Sequence, residues 1–457
     1  MKDSIFRKYD IRGVFPDDLD RQTVRRLGHV LGREAGSCMA VGRDVRDSGI
    51  QLLQWISEGA GYAGCRVIDL GVQTTPMTYY AAHILQKPVT VMITGSHNPP
   101  EYNGFKVMKG LHTLFGEEIE QLRRKILDAS YEGTEESSAE MEKVSLHDGY
   151  VERLLSEFCL DRALKVVVDG GNGTGGEVAC EVLENLGCRV LPLYCEMDGS
   201  FPNHHPDPTV ESNLQELIST VVSERADLGI AFDGDADRLG VVDDRGGIVW
   251  GDRVLTLLAR SVLSEHPGAT VISEVKASRL FFDQVEKAGG RPVMSPTGHS
   301  IIKQTMQRED ALLAGEMSGH IFFRDRYYGY DDALYAALRL IELLGGSERT
   351  LSEMLSDLPE TLSTPEMREP CREEQKFAIV DIVKRNLKAT GFYRVIDVDG
   401  VRVEFDEGWA LLRASNTQPV LVMRFEADTA ERLKEYEQLI RRNVEIAGEE
   451  LDDQGGS

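Results

Sequence analysis

The sequence predicts an α/β protein of three related mixed α/β domains followed by a C-terminal α+β domain with an antiparallel sheet, arranged around a central cleft. Two observations carry this reading. One order of strand, polar loop and helix recurs three times, and the pattern changes after about residue 360.

The recurrence shows at its stops. Ala63-Gly64-Cys65-Arg66, Leu186-Gly187-Cys188-Arg189 and Ala288-Gly289-Gly290-Arg291 each close an amphipathic stretch and lead into an extended one, with glycine where a helix ends in a left-handed turn. Upstream lie the short apolar strands Met39 to Val41, Lys165 to Val168 and Thr270 to Ile272, running into the loops Gly42 to Gly49, Asp169 to Gly176 and Glu274 to Arg279. Downstream, after another helix, come Val89 to Ile93, Leu228 to Phe232 and Ala311 to Ala314. These last strands lead into Thr94-Gly95-Ser96-His97-Asn98-Pro99, Asp233-Gly234-Asp235-Ala236-Asp237-Arg238 and Gly315-Glu316-Met317-Ser318-Gly319-His320. Alternating strands and helices predict mainly parallel sheets with covered faces. Ligands of such sheets gather beyond the carboxyl ends of the strands, so three different loops are expected to face one cleft.

The domains predicted are 1–145 with the Ser96 loop, 146–249 with the Asp233 loop, 250–360 with the Glu316 loop and 361–457 as the α+β unit. Glu132 to Lys143, rich in Glu and Ser, reads as a solvated loop before a helix from Asp148 to Phe158. The last unit reads as a helix Glu373 to Lys388, strands Val395 to Val398, Val401 to Phe405, Ala410 to Arg413 and Val420 to Phe425, and a long helix to about Glu450. Val398-Asp399-Gly400-Val401 suits a hairpin turn, and Asp452 to Ser457 is expected to be disordered.

At 457 residues with 41% hydrophobic content, the chain has material for several cores. A formal charge of −25 argues against a nucleic-acid or anionic-membrane surface. A phosphorylated small molecule needs only a local basic patch, because screening acts over about 8 Å at physiological salt. Seven cysteines without a Cys-x-x-Cys pair or zinc-like Cys/His spacing argue against a disulfide framework and for a reducing cytoplasm. Met1 to Arg7 carries no apolar signal core, and no apolar stretch approaches the roughly 18 residues of a membrane span.

Ser96 follows an apolar strand directly, and Asp233, Asp235 and Asp237 alternate after another. A phosphoserine would bring about −1.5 to −2 charge, and three carboxylates supply the hard oxygens Mg²⁺ prefers. Together they describe phosphoryl transfer. Taken alone, the Ser96 segment is also a proline-stopped turn, and it lacks the Gly-x-Ser-x-Gly elbow of a serine hydrolase. An EF-hand is disfavoured, since Arg238 stands where its glycine belongs and Asp244 where its glutamate does. Without a cation, the three carboxylates of an acidic turn would repel one another. Gly170-Gly171-Asn172-Gly173-Thr174-Gly175-Gly176 has neither a Walker lysine nor dinucleotide-type spacing, so it reads as a tight strand-to-helix connection. Glu316 and Ser318 suit the reading of sugar hydroxyls, and Arg413-Ala414-Ser415-Asn416-Thr417 offers a guanidinium suited to phosphate, although each segment alone is also an ordinary polar turn.

Phe6-Arg7-Lys8-Tyr9-Asp10-Ile11-Arg12-Gly13, the Ser96 loop, Asp233 to Arg238, Gly315 to His320 and Arg413 to Thr417 together resemble the α-D-phosphohexomutase family across essentially the whole chain. Within it, the likeness is to bacterial enzymes acting on both mannose and glucose phosphates. The resemblance implies four domains around a cleft, the last a mobile lid. It implies that Ser96 carries phosphate and that Asp233, Asp235 and Asp237 hold Mg²⁺, with the phosphoserine as a further ligand. Arg12, Arg238 and Lys106 would surround the transferring group, while His97 and Tyr9 line its pocket. Lys276 and His299 match substrate-contacting positions, and Lys106 and His320 are the candidates for proton transfer. Glu316 and Ser318 would read hydroxyls, and Arg413, Ser415, Asn416 and Thr417 would clamp the far phosphate.

The activity implied converts hexose 1-phosphate and hexose 6-phosphate into each other through a 1,6-bisphosphate that turns around, with glucose 1,6-bisphosphate as activator. A monomer is expected. One departure is Ala236, where the family usually has glycine; a methyl group there restricts the loop if φ is positive. A phosphoglucosamine mutase is the alternative, and Met317 weighs against it, since those enzymes usually carry Gln there.

Overall fold

The computed structural model describes residues 2–128, 139–415 and 418–455. The chain forms two compact units, one of residues 1–262 and 318–355 and the other of residues 263–317 and 356–457.

The first unit begins with β1 (Ile11–Val14), β2 (Cys38–Arg43), β3 (Arg66–Val72), β4 (Val89–Ile93), β5 (Tyr102–Lys109), β6 (His112–Thr113) and β7 (Met141–Lys143). They form one sheet in the order β1-β5-β4-β2-β3-β7, with β6 beside β5. Next come β8 (Lys165–Asp169), β9 (Arg189–Leu193), β10 (Leu228–Phe232), β11 (Leu239–Asp243) and β12 (Ile248–Val249), in the order β12-β11-β10-β8-β9. The second unit continues with β13 (Thr270–Glu274), β14 (Arg291–Ser295) and β15 (Leu313–Gly315), where β13 pairs in parallel with both others. The repeat is therefore real at the level of topology. In each copy the third parallel strand lies beside the first and the first beside the second, as β4-β2-β3, β10-β8-β9 and β15-β13-β14. Gly64, Gly187 and Gly289, the stops read from the sequence, have φ of 74°, 86° and 80°, the left-handed turn a Cβ would oppose. Every residue of β4, β10 and β13 is buried, as strands covered on both faces must be.

The expectation of mainly parallel sheets needs correction. β5 runs antiparallel to β4, pairing Ile93 with Phe105, and β11 runs antiparallel to β10, pairing Phe232 with Leu239. The Ser96 and Asp233 loops are thus hairpin connections between a parallel strand and an antiparallel one. The signal for β5 was masked because polar Asn103 and Lys106 are buried within it. Met141–Lys143, expected in a solvated loop, pairs in parallel with β3; residues 132–138 of that loop lie outside the described residues. After β15 the chain enters the first unit again with β16 (Ile321–Phe323) and the helix Ala333–Gly345, capped by Asp332, whose carboxylate accepts from the Tyr335 N–H.

The C-terminal segment holds β17 (Leu362–Ser363), β18 (Met367–Pro370), β19 (Arg394–Ile396), β20 (Val401–Phe405), β21 (Gly408–Ala414) and β22 (Val420–Ala427). Their order is β17-β22-β21-β20-β19 with β18 beside β22, and every pairing is antiparallel. Alternation along β21 sends Ala410 and Leu412 to a core shared with the helices Lys376–Thr390 and Ala430–Gly455, and Trp409 and Leu411 to the opposite face against Val275. The final helix continues to Gly455, beyond the end expected, and so takes in most of the tail read as disordered.

Glycine at 170–176 does the job expected of a tight connection. A Cβ on Gly173 would lie 2.7 Å from the Gly234 carbonyl oxygen, and the Thr174 N–H donates to that same oxygen at 3.1 Å. Gly173→Ala is therefore expected to cost about 1–3 kcal/mol through overpacking against backbone. It should lower the midpoint of a thermal melt; an unchanged midpoint would show that the two loops part without strain.

Candidate active site

Ser96 sits where the chain turns from β4 toward β5, and its Oγ donates to Asp233 Oδ2 at 2.8 Å and lies 3.2 Å from His97 Nδ1. The Asp233 loop is the matching turn between β10 and β11. Oδ1 of Asp233 accepts the backbone N–H groups of Asp237 and Arg238, both at 3.1 Å, which folds the loop over its own first carboxylate and leaves Oδ2 for Ser96. Asp235 and Asp237 present Oδ2 to Lys106 Nζ, at 2.7 Å in the case of Asp235. Thr75 Oγ1 donates to Asp235 Oδ2 at 2.6 Å. All three aspartates are fully buried, with one oxygen of each within 4.8 Å of the others.

This donor set fits a divalent cation. Oδ1 of Asp235 and Oδ1 of Asp237 are buried and accept no hydrogen bond among the described residues, and hard anionic oxygens so arranged are what such an ion coordinates. The electrostatics agree. Burial, with the charges of Asp235 and Asp237, pushes the Asp233 carboxyl well above its ordinary range. Burial also opposes ionisation of Asp235, but the charge and hydrogen bond of Lys106 hold that carboxyl below its usual range. For Lys106, the two carboxylates outweigh burial and keep the ammonium protonated well above the ordinary lysine range. Ala236 does have positive φ, 58°, and a Cβ on Gly175 would lie 2.7 Å from its methyl group. The loop keeps its alanine because residue 175 has no side chain.

Arg238 Nε donates to His320 Nε2 at 3.1 Å, while His320 Nδ1 lies 3.0 Å from Asp331 Oδ2 and 3.5 Å from Asp237 Oδ1. Burial, and then the charges of Arg238 and Arg12, push the His97 imidazole well below its usual value, so the ring is neutral. Arg12 lies on β1 opposite Gly104 of β5 and pairs with Asp10. Tyr9 is half-buried just ahead of that strand.

In the second unit Glu316, at the end of β15, accepts the Gly298 N–H at 2.6 Å, next to buried His299. Lys276 lies between Glu274 and Glu366, at 3.6 and 3.3 Å. Burial would lower its ammonium pKa, but these carboxylates and Glu316 raise it. Asp399 Oδ2 accepts from Arg413 Nε at 3.0 Å and from the Thr297 N–H at 3.2 Å, so one turn aspartate ties the guanidinium to the segment carrying His299. Ser415 Oγ accepts the Gln418 N–H at 3.2 Å. Asn416 and Thr417 lie outside the described residues. Ser318 and His320 belong to the first unit, because the boundary falls after Met317.

Sequence reasoning missed Thr75, Glu274, Asp331 and Asp399, and the pair Asp44 and Arg46. Each is charged or polar next to a strand end or turn, a position at which solvation is the ordinary expectation.

Four family models match the chain in order: phosphoglucomutase/phosphomannomutase alpha/beta/alpha domain I over residues 3–132, domain II over 148–247, domain III over 250–362 and the C-terminal domain over 366–443. The chain belongs to the phosphoglucomutase/phosphomannomutase family. It is 45% identical over 452 residues to a phosphomannomutase/phosphoglucomutase of Pseudomonas aeruginosa, covering 98% of this chain and 97% of the relative. It is 42% identical over 446 residues to a phosphoglucomutase of Neisseria gonorrhoeae, covering 96% of each. The crystal structure of a phosphoglucomutase/phosphomannomutase family protein from Burkholderia thailandensis superposes with a TM-score of 0.91 at 41% identity, covering 98% of both chains.

Asp235→Asn replaces an anionic ligand with a neutral one. Mg²⁺ affinity measured by calorimetric titration is expected to fall at least about tenfold; unchanged affinity would reassign this loop as structural.

Proposed function

We propose that the chain is a phosphohexomutase converting the 1-phosphates and 6-phosphates of mannose and glucose into each other, with Ser96 as phosphoryl carrier. The observation that supports this best is the 2.8 Å hydrogen bond from Ser96 Oγ to Asp233 Oδ2, within a buried set of three carboxylates. Asp233, Asp235 and Asp237, together with the Ser96 phosphoryl group, would hold Mg²⁺, which when bound neutralises charge on the phosphoryl oxygens. Arg12, Arg238 and Lys106 add positive charge around the same group, and neutral His97 is available as a hydrogen-bonding partner rather than another cation. In the forward half-reaction the bond between Ser96 Oγ and phosphorus breaks as one forms from phosphorus to a free sugar hydroxyl. That hydroxyl's proton passes to a side chain lining the site, and the departing Ser96 Oγ takes up a proton to become the free serine hydroxyl. Lys106 and His320 are our candidates for this proton transfer. The 1,6-bisphosphate then turns around, and its other phosphoryl group returns to Ser96.

We assign the far phosphate to Arg413, Ser415, Asn416 and Thr417, further substrate contacts to Lys276 and His299, and the sugar hydroxyls to Glu316 and Ser318. Glucose 1,6-bisphosphate would serve as activator by restoring the phosphoserine. A phosphoglucosamine mutase is favoured less: a relative from Methanopyrus kandleri described as a probable phosphoglucosamine mutase is 36% identical, against 45% for the Pseudomonas aeruginosa protein, and residue 317 is Met. No helix among the described residues is long and apolar enough to cross a membrane. We place the enzyme in the cytoplasm, a reading that rests on its cysteine usage, and expect it to be a monomer.

Incubated with glucose 1,6-bisphosphate, the wild-type chain is expected to gain about 80 Da by intact mass, one phosphoryl group. Ser96→Ala should gain none and lose nearly all mutase activity. Wild-type turnover by purified Ser96→Ala would remove Ser96 from the mechanism. Arg413→Ala should lose roughly 1.5–3 kcal/mol of charge-assisted binding, seen as a KM about ten to a hundred times higher. An unaltered KM would place the far phosphate elsewhere.

A further inference from the structure

A buried ion pair holds the Ser96 loop from beneath. Asp44 and Arg46 lie in the turn just past β2, with side chains 1% and 0% exposed. The Arg46 guanidinium donates through Nη2 to the carbonyl oxygens of Ser96, at 2.8 Å, and Asn98, and through Nη1 to those of Pro99 and Tyr102, the latter at 3.0 Å. Its Nε donates to Asp44 Oδ2 at 3.1 Å, and the Phe201 ring centre lies 5.1 Å from its Cζ. Asp44 Oδ2 also accepts from Thr94 Oγ1 at 2.8 Å and from the Gly95 N–H at 3.0 Å, and Thr94 Oγ1 accepts the Ser96 N–H at 2.8 Å.

Both peptide groups flanking Ser96 are therefore held, the N–H by Thr94 and the C=O by Arg46. Ser96 needs this, because its φ of +50° is left-handed backbone that serine seldom adopts. Such a conformation costs on the order of 1–3 kcal/mol and persists where surrounding contacts over-determine it. A guanidinium reaches several carbonyl oxygens at once from a rigid fork, which an ammonium does not. Gly95 fits the same arrangement, for a Cβ there would lie 2.6 Å from Arg46 Cζ.

We propose that Asp44, Arg46 and Thr94 are positioning residues for phosphoryl transfer, locking Ser96 in left-handed backbone so that Oγ faces Asp233. This rests on Ser96 being the phosphoryl carrier. The third repeat uses a related device, since Glu274 at the end of β13 accepts the Met317 N–H at 3.3 Å and Thr297 Oγ1 at 2.8 Å.

The test uses the full chain carrying Thr94→Val, which keeps the side-chain shape, and separately Arg46→Lys. Phosphorylation of Ser96 on mixing with glucose 1,6-bisphosphate is followed by quenched intact mass, alongside kcat, KM and thermal melting. Misplacing the carrier should lower the phosphorylation rate constant and kcat together by about 100-fold, with KM for glucose 1-phosphate within about threefold and a cooperative melt retained. A purely structural role would instead reduce the amplitude of phosphorylation while leaving its rate constant and kcat per folded molecule at wild-type values, and that outcome overturns the proposal. If Arg46→Lys does not fold, Thr94→Val decides alone. A wild-type chain that takes no phosphoryl group overturns the carrier reading and this proposal together. Normal uptake by wild type and equally fast uptake by Thr94→Val overturns this proposal only.

Discussion

Mutual repulsion among Asp233, Asp235 and Asp237 is the constraint that shapes the first unit. Carboxylates withdrawn from water and brought this close cannot all ionise unless something answers their charge. Two backbone N–H groups and the Ser96 hydroxyl answer Asp233, Thr75 and Lys106 answer Asp235, and Lys106 again answers Asp237. The side-chain partners come from the Ser96 hairpin, from β5 and from the start of the helix Thr75–Leu85. The aspartate loop thus needs the first repeat as much as its own, and the two oxygens that no hydrogen bond reaches among the described residues mark where a cation would complete the balance.

The repeat makes this assembly possible. Each copy ends its third parallel strand at a candidate functional loop, so variation of loop sequence on one topology yields a serine, a carboxylate set and the Glu316 turn to which we assign the reading of hydroxyls. In the first and third copies a buried carboxylate at or just past the end of the first strand, Asp44 or Glu274, accepts a backbone N–H of that loop. In the second, Asp169 accepts the Gly171 N–H at 2.9 Å and pairs with His204 at 3.0 Å. The same place in the topology therefore anchors the candidate functional loop in the first and third copies, while in the second it holds its own turn and His204.

The second unit uses charge differently. Lys276, half-buried, and Arg413, buried, are cations held by Glu274, Glu366 and Asp399. Partner carboxylates keep their positive charge in place at the cost of part of its reach, so under the proposed function an arriving phosphate would exchange a carboxylate contact for its own rather than meet a bare cation. Such exchange makes recognition depend on geometry, since a guanidinium fork rewards bidentate oxygens in its plane.

Local physics was legible in the sequence. Helix stops at Gly64, Gly187 and Gly289, the apolar strands before each loop, the Asp399-Gly400 turn and the fourth unit's period-two strands all follow from backbone sterics and side-chain alternation within a few residues. The loops carrying Ser96, the three aspartates, Glu316 and Arg413 were readable for the same reason, because each directly follows or ends an apolar strand. Hidden from that reading were the antiparallel partners β5 and β11 and the buried polar residues Asp44, Arg46, Thr75, Glu274 and Asp399 as a supporting framework. A charged residue in a sequence reads as solvated, since burying it alone would cost more than any local gain returns. Only when distant segments meet does Arg46 find four carbonyl oxygens, or Lys106 two carboxylates. Sequence by itself thus determined which chemical groups stand at the strand ends, while tertiary structure decided which buried partners hold them there, because the free energy of a buried polar group depends on neighbours that chain order does not name.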